Sequence, residues 1–223
     1  MKYSPKFSPP VEFTEWLEKH KDSKNLSWGF LSNRKKHNRR TKKKISESIR
    51  IEQGYVCAYC GRSLKIDGSD SHIDHFLPQK YHKDKIFDYQ NFFVSCGKNL
   101  KKNVSKTCGH AKDNWHDMSN QDLIPSHPNC ERRFHYDSTG QIKAKREDDD
   151  LATQAIIALN LDEDALKHER SVLIAGLERD IVDGEISSTT RDEEIALWRA
   201  LDKDGRAKSL GHVAALYLEQ ELT

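Results

Sequence analysis

A chain of 223 residues and 25.8 kDa holds one large domain or two small ones. With 32% charged residues, a mean hydropathy of −0.85 and no apolar run near the roughly 18 residues that span a bilayer, it reads as a polar, soluble protein and not a membrane one. The net charge of +2 hides an asymmetry: residues 1–146 carry 29 Lys and Arg against 16 Asp and Glu, and residues 147–223 carry 8 against 19. A basic half that meets polyanions and an acidic half that meets something else are expected.

In chain order, M-K-Y-S-P-K-F-S-P-P lacks the apolar core of a secretory signal, so a cytoplasmic location is expected, where free thiols persist. A short helix follows around Phe13 to Lys19, with Thr14 as N-cap and Trp16 as anchor. Arg34 to Lys44 places eight Lys or Arg in eleven positions (Arg34, Lys35, Lys36, Arg39, Arg40, Lys42, Lys43 and Lys44) and runs into an amphipathic helix over Ile45 to Gln53, ended by Gly54. Next come a C-x-x-C turn at Cys57 and Cys60 between short strands, a strand from His72 to Leu77 closed by Pro78, and a second strand at Phe92 to Val94. Asn99 to Lys106 reads as an inserted lysine-rich loop. A helix starting near Cys108 carries His110, Lys112 and Trp115. After Gly140 apolar residues recur at helical spacing, giving three or four helices over 149–223, with Gly176, Gly184 and Gly205 as possible breaks. These patterns divide the chain into a segment with a basic arm (1–44), a central domain (45–140) and a helical region (141–223).

Four thiols suit a tetrahedral zinc site with ligands about 2.3 Å from the ion. Cys57 and Cys60 form one knuckle. Cys96 and Cys108 form the second pair, parted by the lysine-rich insert; the competing reading is a half-site with free buried thiols. Cys130 stands outside the set. Asp74-His75 joins a hard carboxylate, suited to Mg²⁺, to an imidazole able to deprotonate water near neutral pH. His72, two residues earlier, reads as a strand residue. The basic run fits salt-dependent contact with phosphate backbones and offers no base-reading set. Its alternative is a solvated, disordered arm.

Together, Cys57, Cys60, Asp74-His75-x-x-Pro78, Asn91, Cys96 and Cys108-Gly-His110-x-Lys112 resemble the core of the HNH endonuclease family over roughly residues 45–115. The flanks, from Leu123 to Tyr136 and from Ile156 through Leu166 to Arg170, are similar to the HNH subunit of Septu-type anti-phage systems and to retron-linked HNH effectors. The resemblance implies an α+β fold: a zinc-stapled ββα-metal core with flanking helices and an α-helical C-terminal region. It implies His75 as general base, and Asp74 and His110 as ligands of a catalytic Mg²⁺ or Mn²⁺, with Asn114 in reserve because Gly109 separates His110 from Cys108. Asn91 would pin the loop that orients the base. Lys112 would approach a phosphate or stand as a solvated helix lysine. Zn²⁺ would be structural, DNA the substrate and an ABC-type ATPase the partner, docked on the acidic helices. The rival is a zinc-bearing nucleic-acid-binding module or adaptor without catalysis.

Overall fold

The computed structural model describes residues 1–33, 35–98, 104–115 and 121–221. Arg34 and part of the lysine-rich insert, two of the features read from sequence, lie outside them. The fold is α+β, with eight described α-helices and two small antiparallel sheets. Among the described residues no helix is long and apolar enough to cross a membrane.

Helix α1 spans Val11–His20 and buries Phe13 and Trp16. Pro10 occupies the cap position, and Thr14 lies inside the helix with its hydroxyl on the Val11 carbonyl at 2.9 Å, so the expected Thr14 cap is corrected. Proline's fixed φ suits a helix entry, and its missing N–H costs nothing there. After the single turn α2 (Trp28–Leu31), the basic run and the following amphipathic stretch form one continuous helix, α3 (Lys36–Glu52). Asn38, Thr41, Ile45 and Ile49 recur every three to four residues and face the core, which turns the cations outward. The basic stretch from Lys36 to Lys44 is therefore helical, and the expected division at 44/45 falls inside α3. Trp16 Nε1 donates to Asn38 Oδ1 at 2.8 Å across the α1–α3 contact. Gly54, with φ +62°, ends the run.

Strands β1 (Ser71–His75) and β2 (Phe92–Cys96) pair antiparallel, with Asp74 opposite Phe93 and His75 opposite Phe92. One turn of helix, α4 (Gly109–Lys112), follows; Trp115 lies beyond it. The C-x-x-C turn sits beside a single bridge, Val56 to Ser63, and not between true strands. A second hairpin pairs β3 (Phe134–Tyr136) with β4 (Ile142–Ala144), so the expected division at 140/141 falls in its turn. Helices α5 (Asp150–Ala158), α6 (Asp164–Val182), α7 (Arg191–Arg199) and α8 (Gly211–Glu221) complete the fold. Gly176 lies within α6, whereas Gly184 and Gly205 mark turns.

A single apolar cluster runs from Phe13 and Trp16 through Phe92 and Phe93 to Val213–Leu218 of α8. Cys108 N donates to the Leu159 carbonyl at 2.7 Å, tying the start of α4 to the end of α5. The hairpin, α4 and the C-terminal helices thus share one core.

Candidate functional site

All four thiols expected to bind zinc come together. Cys57, Cys60, Cys96 and Cys108 are buried, and their sulfurs lie within 4.8 Å of one another. Cys60 Sγ and Cys96 Sγ are 3.8 Å apart. Ligands 2.3 Å from a tetrahedral centre stand about 3.8 Å apart, so the cluster has the dimensions of a four-thiolate site. The eleven-residue interval before Cys108 does not separate the pair. Cys108 adopts φ +57° and ψ −135°, an arrangement costing a residue with a side chain on the order of 1–3 kcal/mol, which the surrounding bonds must outweigh. Burial raises the Cys57 thiol, yet hydrogen bonds from Cys108, Cys60 and Cys96 bring it well below the ordinary thiol value. The residues fit a structural Zn²⁺. Cys130 is buried elsewhere, against the Pro125 carbonyl.

Side chains alternate across β1, which sends Asp74 and His75 to opposite faces. Asp74 points toward α4. Tyr59 donates its hydroxyl to Asp74 Oδ2, and the Lys112 ammonium lies 3.4 Å from the same oxygen. Burial raises the Asp74 carboxyl above its usual range, and Lys112 opposes that rise. Lys112 also donates to the His75 and Phe76 carbonyls, at 2.8 and 3.3 Å, and is 2% exposed. The expectation that Lys112 reaches a phosphate is corrected: its three oxygen contacts use the ammonium inside the protein.

His75 is 5% exposed, not turned toward solvent. Its ring meets Trp28 edge-on at 4.5 Å and Phe92 at 4.8 Å. Nε2 lies 3.0 Å from the Ile86 carbonyl, so this nitrogen carries the proton and Nδ1, facing the Gln79 amide at 3.2 Å, is the acceptor. Burial pushes the imidazole down to about 4, so it is neutral at pH 7. Asn91 is buried. Its amide accepts from Leu77 N at 2.7 Å and donates to the Leu77 and Lys85 carbonyls at 3.0 and 3.2 Å. It spans the loop that brings Ile86 to His75.

On the α4 side, His110 is exposed and its ring lies 4.2 Å from that of His72. His72 shares the Asp74 face, as the two-residue spacing predicts for a regular strand. Burial, then the neighbouring His110, lowers His72 to about 4. Asn114 lies two residues beyond α4 in a turn. Gly109 explains the unusual spacing: a Cβ there would come within 3.0 Å of Ser95 Oγ and 3.1 Å of both the Asp74 carboxyl carbon and His72 Nε2. The donors of His72, Asp74 and His110 are spread more widely than the thiols, because the thiol cluster alone, among the described residues, has all its donors within 4.8 Å.

A groove of about 310 Å³ runs between α3 and β1, lined by Arg39, Lys42, Lys43, Arg50 and Lys98, with Asp67 and His72 also on its wall. Lys35, Lys36, Arg39, Arg40 and Lys43 are exposed, and Lys42 and Lys44 half-buried. Lys43 and Lys44 pair with Glu47 at 3.6 and 3.2 Å, and Lys42 bonds Ser32 Oγ at 2.8 Å.

The fold and site define a small α+β protein with a four-thiol cluster able to hold a metal ion, beside two histidines and a carboxylate. No family profile matches the chain. It is 28% identical over 145 residues to a Vibrio cholerae serotype O1 biovar El Tor protein named retron Vc95 putative HNH endonuclease. That match covers 61% of this chain and 66% of the Vibrio protein, just under two thirds of its length.

Proposed function

We propose that the chain is a metal-dependent HNH endonuclease that hydrolyses phosphodiester bonds of DNA, serving as the nuclease subunit of a two-component anti-phage complex beside an ABC-type ATPase. The observation that supports the nuclease reading is the groove in which the cationic face of α3 meets His72 of β1, whose ring lies against that of His110. The likeness to the Vibrio protein supports a nuclease at a general level. The acidic composition of residues 147–223 supports partner docking there.

Asp74 and His110 would hold the catalytic cation, Mg²⁺ or Mn²⁺, which when bound neutralises charge on the scissile phosphate and the leaving oxygen. His75 supplies the base: with Nε2–H engaged by Ile86, Nδ1 takes the proton of a water that replaces the Gln79 amide. Its lowered basicity keeps it neutral, at the cost of proton affinity. Asn91 positions His75 by fixing the Leu77–Ile86 loop. The α3 cations hold the backbone without reading sequence.

The burial of His75 under Trp28 favours one alternative, a zinc-bearing nucleic-acid-binding module in which His75 is a core residue. Plasmid nicking with Mg²⁺ or Mn²⁺, with the ATPase partner present, separates the two. The nuclease reading expects His75→Ala to lose on the order of 10²–10⁴ in rate while binding DNA as before. Equal cutting by that variant, or none by the wild type, overturns it.

A further inference from the structure

We propose that Arg50, Ser71 and Lys98 form a phosphate-binding pocket in the wall of the α3–β1 groove, which takes one phosphate of a nucleic-acid backbone. The proposal rests on the nucleic-acid reading above and adds residues that the exposed cations of α3 leave out.

Arg50, in the last turn of α3, is 4% exposed. Its Nη1 donates to Ser46 Oγ at 2.6 Å, Nε is enclosed without a partner, and Nη2 makes no hydrogen bond among the described residues. No described carboxylate pairs with this guanidinium. The contrast within the same chain is plain: the equally enclosed Lys6, Lys112 and Arg170 face Glu52, Asp74 and Asp162. A buried charge is ordinarily paired, so Arg50 lacks an anion. Ser71, the first residue of β1, is also buried, and its Oγ has no partner. Unsatisfied buried donors are rare unless something absent from the protein accepts from them.

Both residues stand on the groove wall, and the loop between them gathers a second cation. Gly68 has φ +67°, and a Cβ there would lie 2.4 Å from Arg50 Nη1 and 2.9 Å from Cζ, so only glycine admits the guanidinium. The Gly68 carbonyl accepts from Lys98 Nζ at 3.4 Å. Across the groove, burial and then Lys98 hold the Lys42 ammonium below its ordinary value. Asp67, the carboxylate on this wall, is exposed and takes the Ser69 N–H at 2.9 Å. Cations and hydroxyls converging with so little opposing charge suit an oxyanion, and a guanidinium fork matches phosphate oxygens. The groove continues along Arg39 and Lys43, so the phosphate belongs to a chain laid over α3. An oxyanion seated on Lys98 and Arg50 gives Ser71 Oγ an acceptor, reached by rotation about one bond.

The test uses the zinc-loaded full chain without added Mg²⁺ or Mn²⁺. Titration calorimetry with inorganic phosphate, against sodium chloride of matched ionic strength, is expected to show one saturable site in wild type. Ser71→Ala removes only an unpartnered hydroxyl and is expected to bind phosphate about tenfold more weakly, as is Lys98→Ala. With duplex DNA, Ser71→Ala is expected to weaken binding at an unchanged salt slope, and Lys98→Ala to flatten the slope by about one contact. No saturable phosphate binding by wild type overturns the proposal, and so does wild-type phosphate affinity in a folded Ser71→Ala. Variants that lose inorganic phosphate yet bind DNA as before would assign the pocket to a free phosphate and overturn the backbone assignment. Because no step here reads nicking, the expected binding losses in a protein that cuts nothing sustain the pocket and sink the nuclease.

Discussion

The Lys112 ammonium lies 3.4 Å from Asp74 Oδ2, with 1% and 13% of the two side chains exposed. The same ammonium takes the His75 and Phe76 carbonyls, so one buried cation fastens α4 to the end of β1 at the Asp-His pair. Removing one partner of a buried pair costs about 3–5 kcal/mol because the other charge is stranded. Lys112→Met is therefore expected to lower the unfolding free energy by that amount in urea at pH 7. It is also expected to leave the salt dependence of DNA binding unchanged, whereas Lys43→Ala or Arg39→Ala flattens the slope by about one contact. A flattened slope for Lys112→Met would show that Lys112 reaches phosphate after all.

Asn91 makes a different kind of tie. Its amide satisfies one N–H and two carbonyls of the Leu77–Lys85 loop, none of which alanine can replace. Asn91→Ala is expected to cost about 2–4 kcal/mol. Because the loop carries the Ile86 carbonyl that holds His75 Nε2, amide exchange at Leu77 is expected to quicken. Protection at Leu77 equal to wild type would mean that the loop is held by other contacts.

Much of this arrangement could be read from residue order, because it depends on local spacing. The C-x-x-C turn, the alternation around Asp74-His75 and the apolar run at Phe92 each encode their element within a few residues. Cys108 was legible as a ligand only on the premise that an insert need not move its ends, which its proximity to Cys57, Cys60 and Cys96 satisfies. The orientation of Lys112 is not legible in sequence: a lysine on a one-turn helix looks solvated until the carbonyls of His75 and Phe76 arrive from 37 and 36 residues away. His72 reads from sequence as a strand residue on the Asp74 face, and only the tertiary contact with His110 sets it apart. The β3–β4 hairpin is not legible in sequence although Phe134-His-Tyr and Ile142-Lys-Ala alternate around Asp137-Ser-Thr-Gly140; three-residue strands fall below the length at which alternation stands out.

Metal removal bears on both the scaffold and the centre. Cys108 joins the thiol cluster to the first residue of α4 and, through its N–H, to Leu159, so losing the ion frees α4 and the end of α5 together. Structural zinc contributes on the order of 10 kcal/mol in small domains, more than most domains have to spare. Strong chelation is expected to release one zinc per chain and abolish cooperative thermal unfolding, and Cys108→Ser to behave as the chelated protein. A colorimetric zinc assay run beside calorimetry checks this. A cooperative transition surviving complete zinc loss would show that the apolar core suffices alone.

The response to acid follows from His212. It is enclosed on α8 beside Gly61, whose φ of +75° and missing side chain admit the ring: a Cβ there would lie 2.3 Å from His212 Cε1. Burial holds the imidazole well below its usual range, and the neighbouring N-terminal ammonium, Lys2, Arg199 and Arg170 add to the effect. Tyr136 Oη, 3.4 Å from Nε2, is a weak partner at best. A folded-state value below the unfolded value of 6.5 means that the unfolded chain binds more protons in acid. His212 therefore contributes its full stability above pH 6.5 and loses it progressively as pH falls below that. His72 and His75, lowered to about 4, act with the same sign between pH 6.5 and about 4. Between pH 7.5 and 5.5 the His212 share of the loss is about 1.4 kcal/mol. Urea midpoints of the zinc-loaded chain at pH 7.5, 6.5 and 5.5 are expected to fall for wild type, and His212→Gln to remove about that much of the decline. A decline of the same size in His212→Gln would assign the acid sensitivity to the other two histidines or to the thiol site.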